Sequence, residues 1–152
     1  MDKSQVINAL RTELESQFRR VTGAADEARG YATDPDSKAE NKYDTRTVEA
    51  SYLAAGQAAK AEELAATLQT FATWTPPGFA PDAAIALGAL VETAGEDGHR
   101  AAFLLAPVGG GLDTEVDGIV TTVVSPQASL FQRLQGARVG DQVGALRIVA
   151  LS

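Results

Sequence analysis

Apolar residues recur every three or four positions over two long stretches of the chain, with polar residues between them. The first stretch covers residues 3–29 and the second covers residues 45–72. This spacing places the apolar side chains on one face of a helix, so two long amphipathic helices are predicted. The stripe residues are Ile7, Leu10, Leu14, Phe18, Val21, Ala25 and Ala28 in the first stretch, and Ala50, Leu53, Gln57, Ala61, Leu64, Leu68 and Phe71 in the second.

A short polar connector separates the two predicted helices. Gly30 is a stop signal for the first helix, and Pro35 disfavours helical geometry at Asp34. Helices of similar length joined by such a connector fold back on each other, so an antiparallel coiled-coil hairpin is predicted. An ordinary helical bundle is the alternative, but it needs a third long helix and none follows.

The pattern changes after the second helix. Residues 73–81 hold three prolines and a glycine, which forbid a continuing helix. A turn at residues 95–98 (GEDG) indicates an antiparallel meander. The predicted domains are therefore a hairpin over 1–73, a Pro-rich linker over 74–81 and a small β domain over 82–152, which makes the fold class α+β. The predicted strands are 85–92, 100–107, 118–125 and 144–151, and one short helix is predicted over 129–136, ended by Gly136.

Charge and composition exclude several classes of function. The chain has 152 residues, a net charge of −7 and 13 basic against 20 acidic residues. Duplex binding needs clustered cations, so direct nucleic-acid binding is not expected, and a protein partner is. There are no cysteines, and no signal peptide or membrane span is visible. We therefore expect a cytoplasmic protein that does not bind membranes.

Three features outside the helices have ordinary structural interpretations. His99, the only histidine, lies in the predicted turn and is expected to be solvated. The glycines at residues 109–111 lack the Gly-Lys-Ser/Thr ending of a phosphate loop, so they are interpreted as a strand connection. Trp74 and Phe79 flank the linker prolines and are expected to pack the linker between the domains.

The tip of the predicted hairpin is acidic, although two lysines interrupt it. Carboxylate oxygens are ligands for hard cations, and magnesium often takes only one or two of them from protein. Composition alone favours a solvated charged loop. The acidic residues of the tip are Asp34, Asp36, Glu40 and Asp44.

Three segments together resemble the Gre-type transcript cleavage factors of bacterial RNA polymerase. Residues 25–29 (ADEAR) followed by 40–41 (EN) resemble the end of that family's first helix and its acidic tip. Residues 124–130 (VSPQASL) with 134–136 (LQG) resemble its "SP…ALLGK" segment. Residues 139–143 (VGDQV) resemble its "GD.V" turn. The resemblance covers most of the chain in order.

The resemblance implies a partner and a division of labour. The C-terminal domain would have an FK506-binding-protein-like (FKBP-like) fold and dock on RNA polymerase, while the coiled coil enters the secondary channel. Carboxylates at the tip would then help to hold a magnesium ion of the polymerase active site, so the chain is not itself an enzyme. The binding residues implied are Asn41, Lys42, Tyr43 and Asp44 at the tip, and Ser125, Pro126 and Leu130 in the C-terminal domain.

The tip departs from the family pattern "GDLxENAEY". Ser37 stands where the family has Asp, and its side chain supplies no carboxylate. Glu40 would therefore be one metal-assisting carboxylate, and Asp36 or Asp34 would supply the second. Two alternatives stay open: a Gre-like regulator that inhibits or retunes the polymerase without cleavage, and a coiled-coil adaptor or chaperone-like module unrelated to transcription. The expected oligomeric state is a monomer or a weak homodimer.

Overall fold

The structure is a computed structural model, and it describes residues 1–33 and 46–152. Helix α1 spans Lys3–Thr33 and helix α2 spans Arg46–Thr73. Both long helices were predicted, but α1 continues past Gly30, where the sequence favours an end. Asp2 caps the N-terminus of α1, because its Oδ1 accepts a hydrogen bond from the Ser4 N–H at 2.8 Å.

The chain divides into two compact units. The sheet unit comprises Met1–Thr12 and Thr70–Ser152, and the helical unit comprises Glu13–Gln69. The predicted domain boundaries and the antiparallel coiled-coil pairing of the helices stay predictions. In the described parts of the chain, no helix has both the length and the apolar character needed to cross a membrane.

Burial along the helical unit follows the predicted stripes unevenly. Leu14 is fully buried and Leu64 is 5% exposed, as their stripe positions predict. Leu53 belongs to the same predicted stripe as Leu64 but is 56% exposed. The apolar stripe of α2 is therefore buried at Leu64 but not at Leu53.

The described residues of the sheet unit form a six-stranded sheet in the order β3-β4-β2-β1-β6-β5, with one short helix. All neighbouring strands pair antiparallel except β2 and β4, which are parallel. The predicted α+β class, a helical region followed by a mostly antiparallel sheet, is confirmed. The elements are β1 Leu90–Gly95, β2 Arg100–Leu105, β3 Asp113–Val116, β4 Ile119–Val124, α3 Ser129–Leu134, β5 Gln142–Val143 and β6 Leu146–Leu151.

The predicted antiparallel meander was wrong. Strands β3 and β4 form a hairpin of their own, and β4 then pairs with β2 in parallel. The β3–β4 turn is made by Asp117 and Gly118, with φ values of 53° and 74°. Positive φ at both positions of a two-residue loop defines the turn that suits the twist of a hairpin. The predicted first strand was also too early: residues 85–89 are irregular, and Gly88 has a φ of 95°.

Both faces of the central strands are buried. One face packs with α3 into a cluster that includes Val91, Leu105, Phe131 and Ile148. The opposite face carries Leu104 and its cross-strand neighbours, which are also buried. Burial of apolar area stabilises a fold by about 25 cal/mol per Å2, so burial on both faces of the central strands stabilises the sheet unit.

The start of α1 reaches the second face of the sheet. The Met1 ammonium lies 2.7 Å from Oε1 of Glu92, and the Thr121 hydroxyl lies 3.7 Å from the Met1 sulfur. Arg100 donates to the other oxygen of Glu92 at 2.6 Å. Glu92 is 7% exposed, so this nearly buried carboxylate has a cation at each oxygen, as burial of a charge requires.

Candidate docking groove

The acidic tip lies outside the described residues. Every tip residue with a predicted role in assisting a metal ion or in binding polymerase belongs to this part of the chain. Their assignment stays a prediction. These residues are Asp34, Asp36, Glu40, Asn41, Lys42, Tyr43 and Asp44, together with Ser37.

The residues of the predicted site that belong to the C-terminal domain lie in the turn after β4 and in the first turn of α3. Ser125 follows the last residue of β4, and its carbonyl accepts a hydrogen bond from the Ala128 N–H at 2.9 Å. This turn leaves Pro126 exposed at its crest. Leu130, in the first turn of α3, is partly buried against the core cluster. The structure thus places Ser125, Pro126 and Leu130 in one short surface segment.

The three-glycine segment lies against this turn. It connects β2 to β3, as the interpretation as a strand connection predicts, and Gly109 and Gly111 have φ values of 80° and 87°. The Gly111 N–H donates to the Val123 carbonyl at 2.9 Å. A Cβ on Gly110 would lie 2.5 Å from the Ser125 Oγ, so the backbone approaches Ser125 more closely than a side chain permits.

Together these two segments line a surface groove of about 480 Å3, which we call the glycine groove. None of its lining side chains is charged. Concave surfaces that are mostly apolar and carry a few polar groups are typical of ligand-binding sites. The lining residues are Gly110, Gly111, Thr122, Val123, Val124, Ser125, Gln127, Ala128 and Leu130.

Sequence reasoning found one wall of the groove and missed the other. Ser125 and Leu130 were assigned from the resemblance, whereas Gly110 and Gly111 were interpreted only as a connection. Consecutive glycines with no phosphate-loop ending are a signal for close backbone approach, and that signal could have paired the two segments.

The "GD.V" turn has a structural role. Gly140 has a φ of 97°, and its N–H donates to the Ile148 carbonyl at 2.9 Å. The Asp141 carboxylate accepts a hydrogen bond from the Arg138 N–H at 2.8 Å. These contacts hold the turn before β5.

The described residues contain no cluster of side chains that could hold a metal ion. His99 is exposed in the β1–β2 turn, where the sequence places it. Within residues 1–33 and 46–152, no three His, Asp or Glu side chains gather where they could hold a metal ion. The described residues do form a concave surface, the glycine groove.

No family model and no curated protein matches the chain. Among solved structures, GreA factor homolog 1 (Gfh1) of Thermus thermophilus is similar at 21% identity and a TM-score of 0.38, with 95% of each chain covered. Gfh1 of Thermus aquaticus is similar at 19% identity and a TM-score of 0.38, covering 95% of this chain and 94% of that one. The structure of a transcription factor Gfh1 is similar at 20% identity and a TM-score of 0.37, covering 94% and 93%.

Proposed function

We propose that this chain is a Gre-like factor that binds RNA polymerase at its secondary channel and alters elongation. The observation that carries the proposal is the glycine groove. The Ser125–Leu130 segment carries the more specific part of the sequence resemblance, and it is also the segment that forms an uncharged concave surface with Gly110 and Gly111. A partner could therefore place an apolar side chain against the segment that carries the resemblance.

The order of the elements supports the same proposal. The helical unit, Glu13–Gln69, precedes all six strands along the chain. In a factor that docks through the groove, these helices would serve as the arm that enters a channel. At 1.5 Å per residue, the 28 residues of α2 extend about 42 Å.

Glu40, with Asp36 or Asp34, would act at the polymerase active site. The donor set fits a magnesium ion, since carboxylate oxygens are the ligands that this ion prefers. The ion would belong to the polymerase and would activate water for hydrolysis of backtracked RNA. The role of this chain would be to supply the oxygens and to position them.

A non-catalytic regulator is the second candidate, and Ser37 favours it. A hydroxyl at the position of the family's Asp supplies no negative charge to a metal ion. In this version the arm occupies the channel and changes elongation or inhibits it, with no effect on cleavage.

Stalled, backtracked complexes of the polymerase from the same organism distinguish the two versions. Labelled RNA is followed with wild-type protein, with Glu40→Ala and with Glu62→Ala, which removes the same charge from an exposed position of α2. RNA shortened by wild type and Glu62→Ala but not by Glu40→Ala supports the cleavage role. Altered elongation without shortening supports the regulator. The absence of any effect on elongation or cleavage contradicts the proposal.

A further inference from the structure

A second concave surface lies within the sheet unit, between the first turns of α1 and the residues that follow α2. It has a volume of about 400 Å3, and we call it the linker cleft. Its α1 residues recur at positions 3, 4, 7, 8 and 11, which is one face of the helix. The opposite wall is the segment 74–78, with Trp74 at its start.

The charge of the linker cleft is opposite to that of the chain. Lys3 and Arg11 line it and no carboxylate does, although the chain carries 20 acidic residues and a net charge of −7. The nearby Asp2 is not a lining residue, and one of its oxygens accepts the Ser4 N–H. The cleft is therefore suited to a negatively charged ligand.

Some of the N–H donors of Arg11 form hydrogen bonds within the protein, and others remain available to a ligand. Its Nε and Nη2 both donate to the Phe71 carbonyl near the end of α2, with the Nε bond at 2.9 Å. Its Nη1 has no hydrogen-bond partner among the described residues. A guanidinium presents five donors in a planar fork, so the edge that carries Nη1 can receive a carboxylate in a bidentate pair.

Lys3 contributes positive charge to the cleft, but its ammonium is already engaged by groups of the protein itself. Its ammonium donates to the Pro77 carbonyl at 2.7 Å and the Gly88 carbonyl at 3.0 Å, and it lies 5.0 Å from the centre of the Phe79 ring. These contacts hold the linker wall of the cleft in place. The positive potential of Lys3 adds to that of Arg11.

The remaining walls are partly apolar. Trp74 packs edge-on against Phe71 at 5.7 Å between ring centres and is only half-buried. Ile7 is 7% exposed, and Pro76 is half-buried. An inorganic anion would leave this apolar surface uncovered, whereas a peptide with acidic and apolar side chains would cover it.

We propose that the linker cleft binds a short acidic segment of a partner protein, with one carboxylate on the outer edge of Arg11 and an apolar side chain against Trp74. This interaction is separate from the polymerase docking proposed for the glycine groove. The chain would then have two surfaces for binding proteins, the glycine groove and the linker cleft.

Trp74 is the only tryptophan, so its fluorescence reports directly on the cleft. The full-length protein is titrated with a capped pentapeptide of alternating glutamate and leucine, and with its glutamine counterpart. We expect a saturable change in emission with the glutamate peptide and about tenfold weaker binding of the glutamine peptide, because charge-assisted hydrogen bonds are lost. Equal affinity for the two peptides, or no saturable change, would overturn the proposal.

Two variants with the same added charge sharpen the test. Asn8→Asp places a carboxylate in the cleft three residues before Arg11, where it competes for the guanidinium. Gln5→Asp adds the same charge at an exposed position of α1 outside the lining. We expect about fivefold weaker peptide binding for Asn8→Asp and little change for Gln5→Asp. Equal weakening by both variants, with unchanged circular dichroism, would contradict a specific site.

Discussion

The hydroxyl oxygen of Ser125 stands 2.5 Å from the position that a Cβ on Gly110 would occupy. The Ser125 Cβ and backbone nitrogen follow at 3.1 and 3.4 Å, so rotation of the hydroxyl alone does not relieve the contact. The two walls of the glycine groove therefore meet at a pair of residues that both have to be small.

Gly110→Ala tests this closeness. Gly110 is not among the glycines with positive φ, so the effect of an added methyl group is steric. Overpacking of this kind costs about 1–3 kcal/mol, and we expect that loss in the free energy of unfolding measured with urea through Trp74 fluorescence. The same substitution in a Ser125→Gly background should cost clearly less. An equal cost in both backgrounds would contradict the contact.

Gly56 and Gly98 predict opposite effects from the same alanine substitution. Among the described residues, a Cβ on either glycine would meet no heavy atom within 4 Å beyond the adjacent residues and, for Gly56, the surrounding helix backbone. However, Gly56 is helical and Gly98 has a φ of 80°. Gly56→Ala should raise the unfolding free energy by about 1 kcal/mol because alanine favours the helix. Gly98→Ala should lower it by about 1 kcal/mol because alanine is strained at positive φ. Thermal unfolding followed by circular dichroism measures the change in stability for both variants. Changes of the same sign would contradict the assignment of Gly56 to a helix and of Gly98 to a turn with positive φ.

Lys3 predicts a pH dependence of stability. Burial lowers the pKa of its ammonium below the usual 10.5. Between the folded pKa and 10.5 the unfolded chain binds more protons than the folded chain, so the stability contributed by Lys3 rises with pH in that window and is constant below it. The unfolding free energy of wild type relative to Lys3→Gln should therefore increase from neutral pH to about pH 10. A difference that is flat or falls over this range would show that Lys3 is not desolvated.

The two long helices were predictable because their apolar residues recur at a regular spacing. The short strand β3 was not. Burial of Leu10, Leu14, Leu64 and Phe71 follows the three-and-four spacing that predicts the helices. Strand β3 was missed because its four residues alternate between exposed and half-buried positions without a large apolar side chain except Val116. The Asp-Gly pair after it is a strong hairpin signal that could have revealed it.

The site was only partly predictable for a related reason. Ser125 and Gly110 are 15 positions apart, and their contact depends on the pairing of β3 with β4, which returns the chain to the glycine segment. A prediction that lacks β3 cannot bring these residues together. The linker cleft was missed because its cations, Lys3 and Arg11, are charged residues of an amphipathic helix, and such residues are ordinarily solvated.

Photo-crosslinking to RNA polymerase tests the central claim most directly. A photoreactive residue is placed at Lys42 in the tip, at Gln127 on the glycine groove, or at Glu96 in the exposed β1–β2 turn as the control. The account predicts crosslinks from position 42 to polymerase segments beside the active site, crosslinks from position 127 to its outer surface, and none from position 96. No crosslink from position 42, or equal crosslinking from all three positions, would contradict a factor that docks through the groove and enters the channel with its tip.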